Sequence, residues 1–131
     1  MKSIRLFLTL VAVTVLLGCS TTPASRNFSG IPATEILVTI SCSEPSMRFT
    51  GTIVSDGQSE QLSGTGSATF HATGHEIICS FKKADVDGRI SISVSEAGKN
   101  LGSSSTPQHL GGVRAEILRT SSKQHTLFTT F

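Results

Sequence analysis

The sequence has no tryptophan and no tyrosine, and its aromatic content, 5%, is all phenylalanine. Tryptophan and tyrosine are the usual anchors of recognition hot spots and of base-stacking platforms, so single-stranded nucleic acid is an unexpected partner. Charge is sparse too, at 15% of residues, with no long run of one sign. The net charge of +2 comes from Lys2 and Arg5 at the N-terminus. From Cys19 onward nine basic residues balance nine acidic ones, so the basic character carries no argument for nucleic-acid binding. The longest basic pair, Lys82-Lys83, reads as a solvated strand end. No stretch beyond the N-terminus has a convincing helical period, and no internal repeat is evident. With 131 residues the chain has room for one small domain.

Lys2 and Arg5 precede an apolar run, Leu6 to Leu17, of twelve residues. A bilayer span takes roughly 20. The run is therefore a secretory h-region rather than a transmembrane helix. It ends in Leu16-Leu17-Gly18-Cys19, which resembles the lipobox of bacterial lipoproteins: a large apolar residue at −3, a small one at −1 and the obligatory cysteine at +1. Leu17, apolar but large, departs mildly from the residue usual at −2. The resemblance covers the first nineteen residues. It implies cleavage between Gly18 and Cys19, a diacylglyceryl thioether on the Cys19 thiol and acylation of the freed amine. Each buried CH₂ contributes about 0.8 kcal/mol, so two or three chains give a durable anchor where one holds weakly. Ser20, rather than Asp, follows the cysteine; in a Gram-negative host the resemblance then implies the outer membrane, facing the periplasm.

Residues 1–18 are thus expected to be a signal peptide, 19–33 a lipidated cysteine with a Ser/Thr/Pro-rich tether, and 34–131 the folded domain. In that domain the period is two. Ile36, Val38, Ile40 and Cys42 share a face. Ile77, Cys79 and Phe81 share another. Ile90, Ile92 and Val94 alternate with serines, and Val113, Ala115 and Ile117 alternate with Arg114 and Glu116. Asp56-Gly57 and Asp87-Gly88 are hairpin turn signals. Ser103 to Pro107 reads as a polar loop or edge, and Leu127 to Phe131 as a last strand with Phe131 in the core. Seven or eight short strands with regular turns predict an all-β antiparallel sandwich or barrel, the sandwich being favoured.

With Cys19 lipidated, Cys42 and Cys79 are left in a compartment where disulfides persist. One bridge between them is expected, closing a loop of about 37 residues and worth roughly 4 kcal/mol on the chain-entropy account. Similarity to the immunoglobulin fold is thin, because no core tryptophan is present and Ile77 stands where a tyrosine would precede the second cysteine.

No catalytic, cofactor or metal constellation rises above background. His71 and His75 have zinc-pair spacing for a helix, but Gly74 intervenes in what reads as a hairpin, so the rings should diverge. Gly64-Thr65-Gly66 lacks the strand-to-helix context of a phosphate loop. Asp85-Val86-Asp87-Gly88 lacks the later ligands of a calcium loop. His109 and His125 lie in polar segments. The expected function is a non-enzymatic envelope lipoprotein, held to membrane lipid through acylated Cys19 and serving as a binding or accessory module for an envelope protein. A small envelope hydrolase or hydrolase inhibitor is the alternative, which would need a convergent polar pocket, and a carrier of apolar ligands would need a hollow interior.

Overall fold

The computed structural model describes residues 28–84 and 87–131. Lipobox residues Leu16 to Cys19, and Asp85 with Val86, lie outside the described residues.

Nine strands are formed among the described residues: β1 Thr34–Cys42, β2 Arg48–Ser55, β3 Gln58–Thr65, β4 Ala68–Gly74, β5 Glu76–Lys83, β6 Ile90–Glu96, β7 Lys99–Thr106, β8 Gly112–Arg119 and β9 Gln124–Thr130. They make two antiparallel sheets, ordered β4-β1-β6-β7 and β3-β2-β5-β8-β9, so the all-β sandwich is the observed architecture. The count exceeds seven or eight because the polar stretch around Ser103 is a full edge strand, β7, paired along β6.

Alternation makes the core. Ile36, Val38 and Ile40 of β1 and Ile90, Ile92 and Val94 of β6 point inward from the four-stranded sheet. Ile53, Ile77, Cys79, Phe81, Val113, Ala115 and Ile117 point inward from the five-stranded sheet. Each fully buried Ile, Val or Phe contributes about 1.5–3 kcal/mol relative to exposure. Phe70 of β4 crosses between the sheets. It stacks on Phe81 at 5.5 Å between ring centroids and meets Phe49 edge-on at 6.3 Å. Room for this cluster comes from Gly51, where a Cβ would fall 2.2 Å from the Phe81 ring.

Turn chemistry sets the hairpins. Asp56 and Gly57 both have positive φ, 48° and 84°, between the paired Ser55 and Gln58, as a type I′ turn requires. Ala97 and Gly98, at 49° and 79°, do the same between Glu96 and Lys99. A bulge follows: Val94 faces Gly102 and Ser95 faces Asn100, so Leu101 is the extra residue. Asn100 Oδ1 accepts the Gly102 N–H at 2.8 Å. Gly102, at φ 149°, lets the Phe128 ring of β9 rest on its backbone, which draws the two sheet edges together.

The expected bridge is corrected. Cys42 and Cys79 are not joined. Cys42 ends β1 opposite Ile90, at the end of the sandwich where the Lys83 ammonium reaches the Gly88 carbonyl. Cys79 lies four residues before Lys83 in the other sheet, about 13 Å along the strand at ~3.3 Å per residue. A disulfide needs Cα atoms within about 7 Å. Phe131 is also corrected: it is 56% exposed, its backbone pairs with Gly112, and its ring covers that glycine on the solvent side.

Candidate functional site

Two features stand out, one at the end of the sandwich where β1 begins, and one on the outer face of the five-stranded sheet.

At the β1 end the β2–β3 turn, the β4–β5 turn and the segment Phe28–Ile31 meet. Asp56 is fixed in the first turn by its left-handed backbone. Its Oδ1 accepts two backbone N–H groups, those of His75 and Glu76, each at 2.9 Å. Its Oδ2 lies 3.1 Å from His75 Nδ1. His75 Nε2 lies 2.7 Å from the Ile31 carbonyl oxygen. Phe28 stacks on the imidazole, with ring centroids 4.4 Å apart and planes 5° from parallel.

Carbonyl and carboxylate oxygens only accept hydrogen bonds, so each ring nitrogen satisfies its partner only as N–H. The site is built for imidazolium. The bond to the Ile31 carbonyl, opposed by partial burial and aided by the Asp56 bond and charge, raises the His75 pKa above 6.5. Partial burial acts to raise the Asp56 pKa. The backbone N–H groups of Glu76 and His75, with the His75 ring, outweigh it and hold the carboxyl below 3.8. An open cleft of about 300 Å³ adjoins this cluster, between Gly30–Pro32 and the β8–β9 hairpin, with Arg119, Lys123 and Gln124 on its wall. Arg119 is held there by Glu96 and Gln124.

On the outer face, β5 carries Ile78 between the inward Ile77 and Cys79. Pairing aligns Val54, Ile78, Glu116 and Leu127 in one row across β2, β5, β8 and β9. Leu118 stands beside it on β8, and Leu127 is 55% exposed. Glu116 in the middle of the row is clasped by Arg114 Nε at 2.7 Å, two residues along the same face. The charge is thereby matched locally, and the row presents an apolar surface crossed by one ion pair.

Residues marked by sequence are dispersed. His71 sits on the outer face of the other sheet opposite Leu37, while His75 turns to Asp56, so the two imidazoles do diverge. Among the described residues no group of three His, Cys, Asp or Glu converges as metal ligands. Gly64 and Gly66 flank a hairpin end, with Gly64 against the Phe49 ring. Gly88 of the Asp87-Gly88 turn receives the Lys83 ammonium at 2.8 Å, and Pro107 O receives it at 3.2 Å. Lys83 is thus not a solvated strand end. It is 0% exposed and ties two loops together, whereas Lys82 is exposed. Burial pushes the Cys79 thiol up to about 12. The link between Asp56, His75 and Ile31, 44 residues apart at its widest, had no local signal beyond the Asp-Gly turn.

Comparison of the chain with protein-family models, with curated proteins and with solved structures gives no match.

Proposed function

We propose that this chain is a lipid-anchored, non-enzymatic binding module of the bacterial cell envelope. In this reading acylated Cys19 holds it to the membrane, and the outer face of the five-stranded sheet docks an envelope protein. In a Gram-negative host it sits at the outer membrane facing the periplasm. The observation that carries the docking role is the row Val54, Ile78 and Leu127, with Leu118 beside it. These apolar side chains stand on the solvent side of a sheet whose inner face already supplies the core. Contiguous outward apolar surface of this kind marks contact faces. Its chemistry fits a protein partner with an apolar strip and polar groups that meet the Arg114–Glu116 pair. The anchor rests on the lipobox resemblance of Leu16 to Cys19. Eight residues, Ser20 to Asn27, separate that cysteine from Phe28. At ~3.5 Å per residue they span at most about 30 Å, so Phe28 at the β1 end stays within about that distance of the anchor.

Two measurements test the reading. Intact mass of the purified protein should show cleavage at Gly18 and added acyl mass on Cys19. An unmodified chain refutes the anchor. In-cell cross-linking of the wild type, Cys19→Ala and Leu127→Asp should identify a protein captured by the wild type and lost in both variants. Equal capture by Leu127→Asp refutes the docking face, because substitution of a half-exposed leucine leaves the core untouched.

A further inference from the structure

The β1 end of the sandwich holds a feature that the docking role does not use. We propose that His75, Asp56 and Phe28 form a proton-dependent latch that fastens Phe28–Ile31 to the sandwich when the imidazole is charged and releases it when the ring loses a proton.

Geometry decides which bond is given up. Both ring nitrogens face oxygen acceptors, the Asp56 carboxylate and the Ile31 carbonyl. A neutral ring keeps one N–H. The carboxylate is the stronger acceptor, since bonds to an ionised partner are roughly twice as strong as neutral ones. The proton therefore stays on Nδ1, and Nε2 turns a lone pair toward the Ile31 oxygen. Attraction at 2.7 Å becomes repulsion between two acceptors. Stacking on Phe28 weakens in the same step, because a cation over an aromatic face is held more firmly than a neutral ring.

The rest of the cluster does not depend on the ring charge. Asp56 Oδ1 still accepts the backbone N–H groups of His75 and Glu76, and the Arg119 N–H still donates to the His75 carbonyl at 2.8 Å. Release is thus confined to the segment and to the cleft wall it forms with Gly30, Ile31 and Pro32. Charged side chains on the elements packed against the ring are Asp56 on the β2–β3 turn, Glu76 on β5 and Arg119 on β8, with Lys123 across the cleft. The segment itself contributes the Phe28 ring and the Ile31 carbonyl. Arg119 is already neutralised by Glu96 at 3.2 Å, which leaves Asp56 as the partner that sets the ring's charge.

The sign follows. The His75 pKa lies above its ordinary 6.5, so the latch is fully fastened below about that pH and loosens as pH rises through the raised value. Acid tightens it. The latch stands whether or not Cys19 is acylated, so the intact-mass and cross-linking results above bear on it in no way.

The test is a pH titration by NMR of the full chain carrying Cys19→Ala in detergent micelles, from about pH 5 to 9. The His75 ring should titrate with a midpoint above 6.5, and the Gly30 and Ile31 amides should shift with the same midpoint. Protection of the Ile31 amide, which donates to the Phe28 carbonyl at 3.0 Å, should fall about tenfold or more across it. Asp56→Asn should lower the midpoint. His75→Gln should abolish the titration of Gly30 and Ile31 while leaving the amides of Ile53 and Cys79 in place, which shows that the fold is intact. A midpoint at or below 6.5, or Gly30 and Ile31 amides that stay flat while His75 titrates, overturns the proposal.

Discussion

Replacing Lys83 with methionine should destabilise the domain by about 1–2 kcal/mol, although the substitution removes a buried charge. Methionine keeps most of the stem and fills the same space. It removes the ammonium that donates to Gly88 O and Pro107 O. Two terms compete. Desolvating an ammonium costs several kcal/mol, and its removal recovers that cost. Against it, the carbonyls of half-buried Gly88 and exposed Pro107 lose the donor that the buried lysine brings them, and an unsatisfied polar group costs about 1–3 kcal/mol, toward the lower figure where water reaches it. The carbonyls win because they belong to two different loops, one before β6 and one between β7 and β8. The ammonium bonds one carbonyl in each, and neither the Lys83 N–H to Gly111 O bond nor the Arg89 to Ser105 side-chain bond reaches those two carbonyls. For a domain of this size 1 kcal/mol moves Tm by roughly 4–8 °C, so a fall of about 4–16 °C is expected. Thermal unfolding followed by far-UV circular dichroism reads it, and hydrogen exchange at Ala84 and Gly111 should accelerate in step. A Tm within about 3 °C of wild type would refute the reasoning, since it would mean that ammonium desolvation cancels the clamp.

Gly51→Ala should cost about 1–3 kcal/mol by overpacking, since its Cβ would meet the Phe81 ring at 2.2 Å and the Ser80 carbonyl at 2.5 Å; an unchanged urea midpoint would contradict this. Without reductant, both Cys42 and Cys79 should alkylate in denaturant, and in the folded protein Cys79 should resist thiol reagents because its pKa is pushed up to about 12; a chain that takes up no label at these positions would restore the bridge. The stability difference between wild type and His75→Gln should be present below about pH 6.5 and vanish as pH rises through the raised His75 pKa, whereas that between wild type and Asp56→Asn should be present above 3.8 and vanish as pH falls through the lowered Asp56 pKa; a difference independent of pH in either series would count against the charged pair.

What was legible in the sequence is what period two and turn chemistry encode. Ile90-Ser91-Ile92-Ser93-Val94 could lie only with its apolar face inward, and it does. Asp56-Gly57 marked a two-residue hairpin because those residues tolerate the positive φ that the turn adopts. Where the alternation is weak, the reading was incomplete. Lys99 to Thr106 has little apolar content on either face, yet pairing along β6 and the bulge at Gly102 make it a strand. Cysteine arithmetic failed for a different reason. Parity and compartment say how many bridges a chain can form, but the level of each residue along its strand decides whether two thiols meet, and strand order was not encoded locally. Lys83 failed likewise. Next to Lys82 it reads as one of a solvated pair, but alternation turns one lysine out and its neighbour in, toward carbonyls supplied by distant loops.

The same limit explains why the His75 cluster was invisible, and why it is informative. Sequence pairs His75 with His71 by spacing. The fold pairs it with Asp56, nineteen residues earlier, and with Ile31 on the far side of β1. An aspartate at a type I′ turn needs no histidine to be stable there, and a histidine after a turn glycine needs no aspartate. Their convergence on the segment that leads in from Cys19 is therefore extra to the requirements of the hairpins. It concentrates a titratable group where the chain enters the sandwich, so the charge of one ring, rather than the packing of the core, governs how firmly Phe28–Ile31 is held.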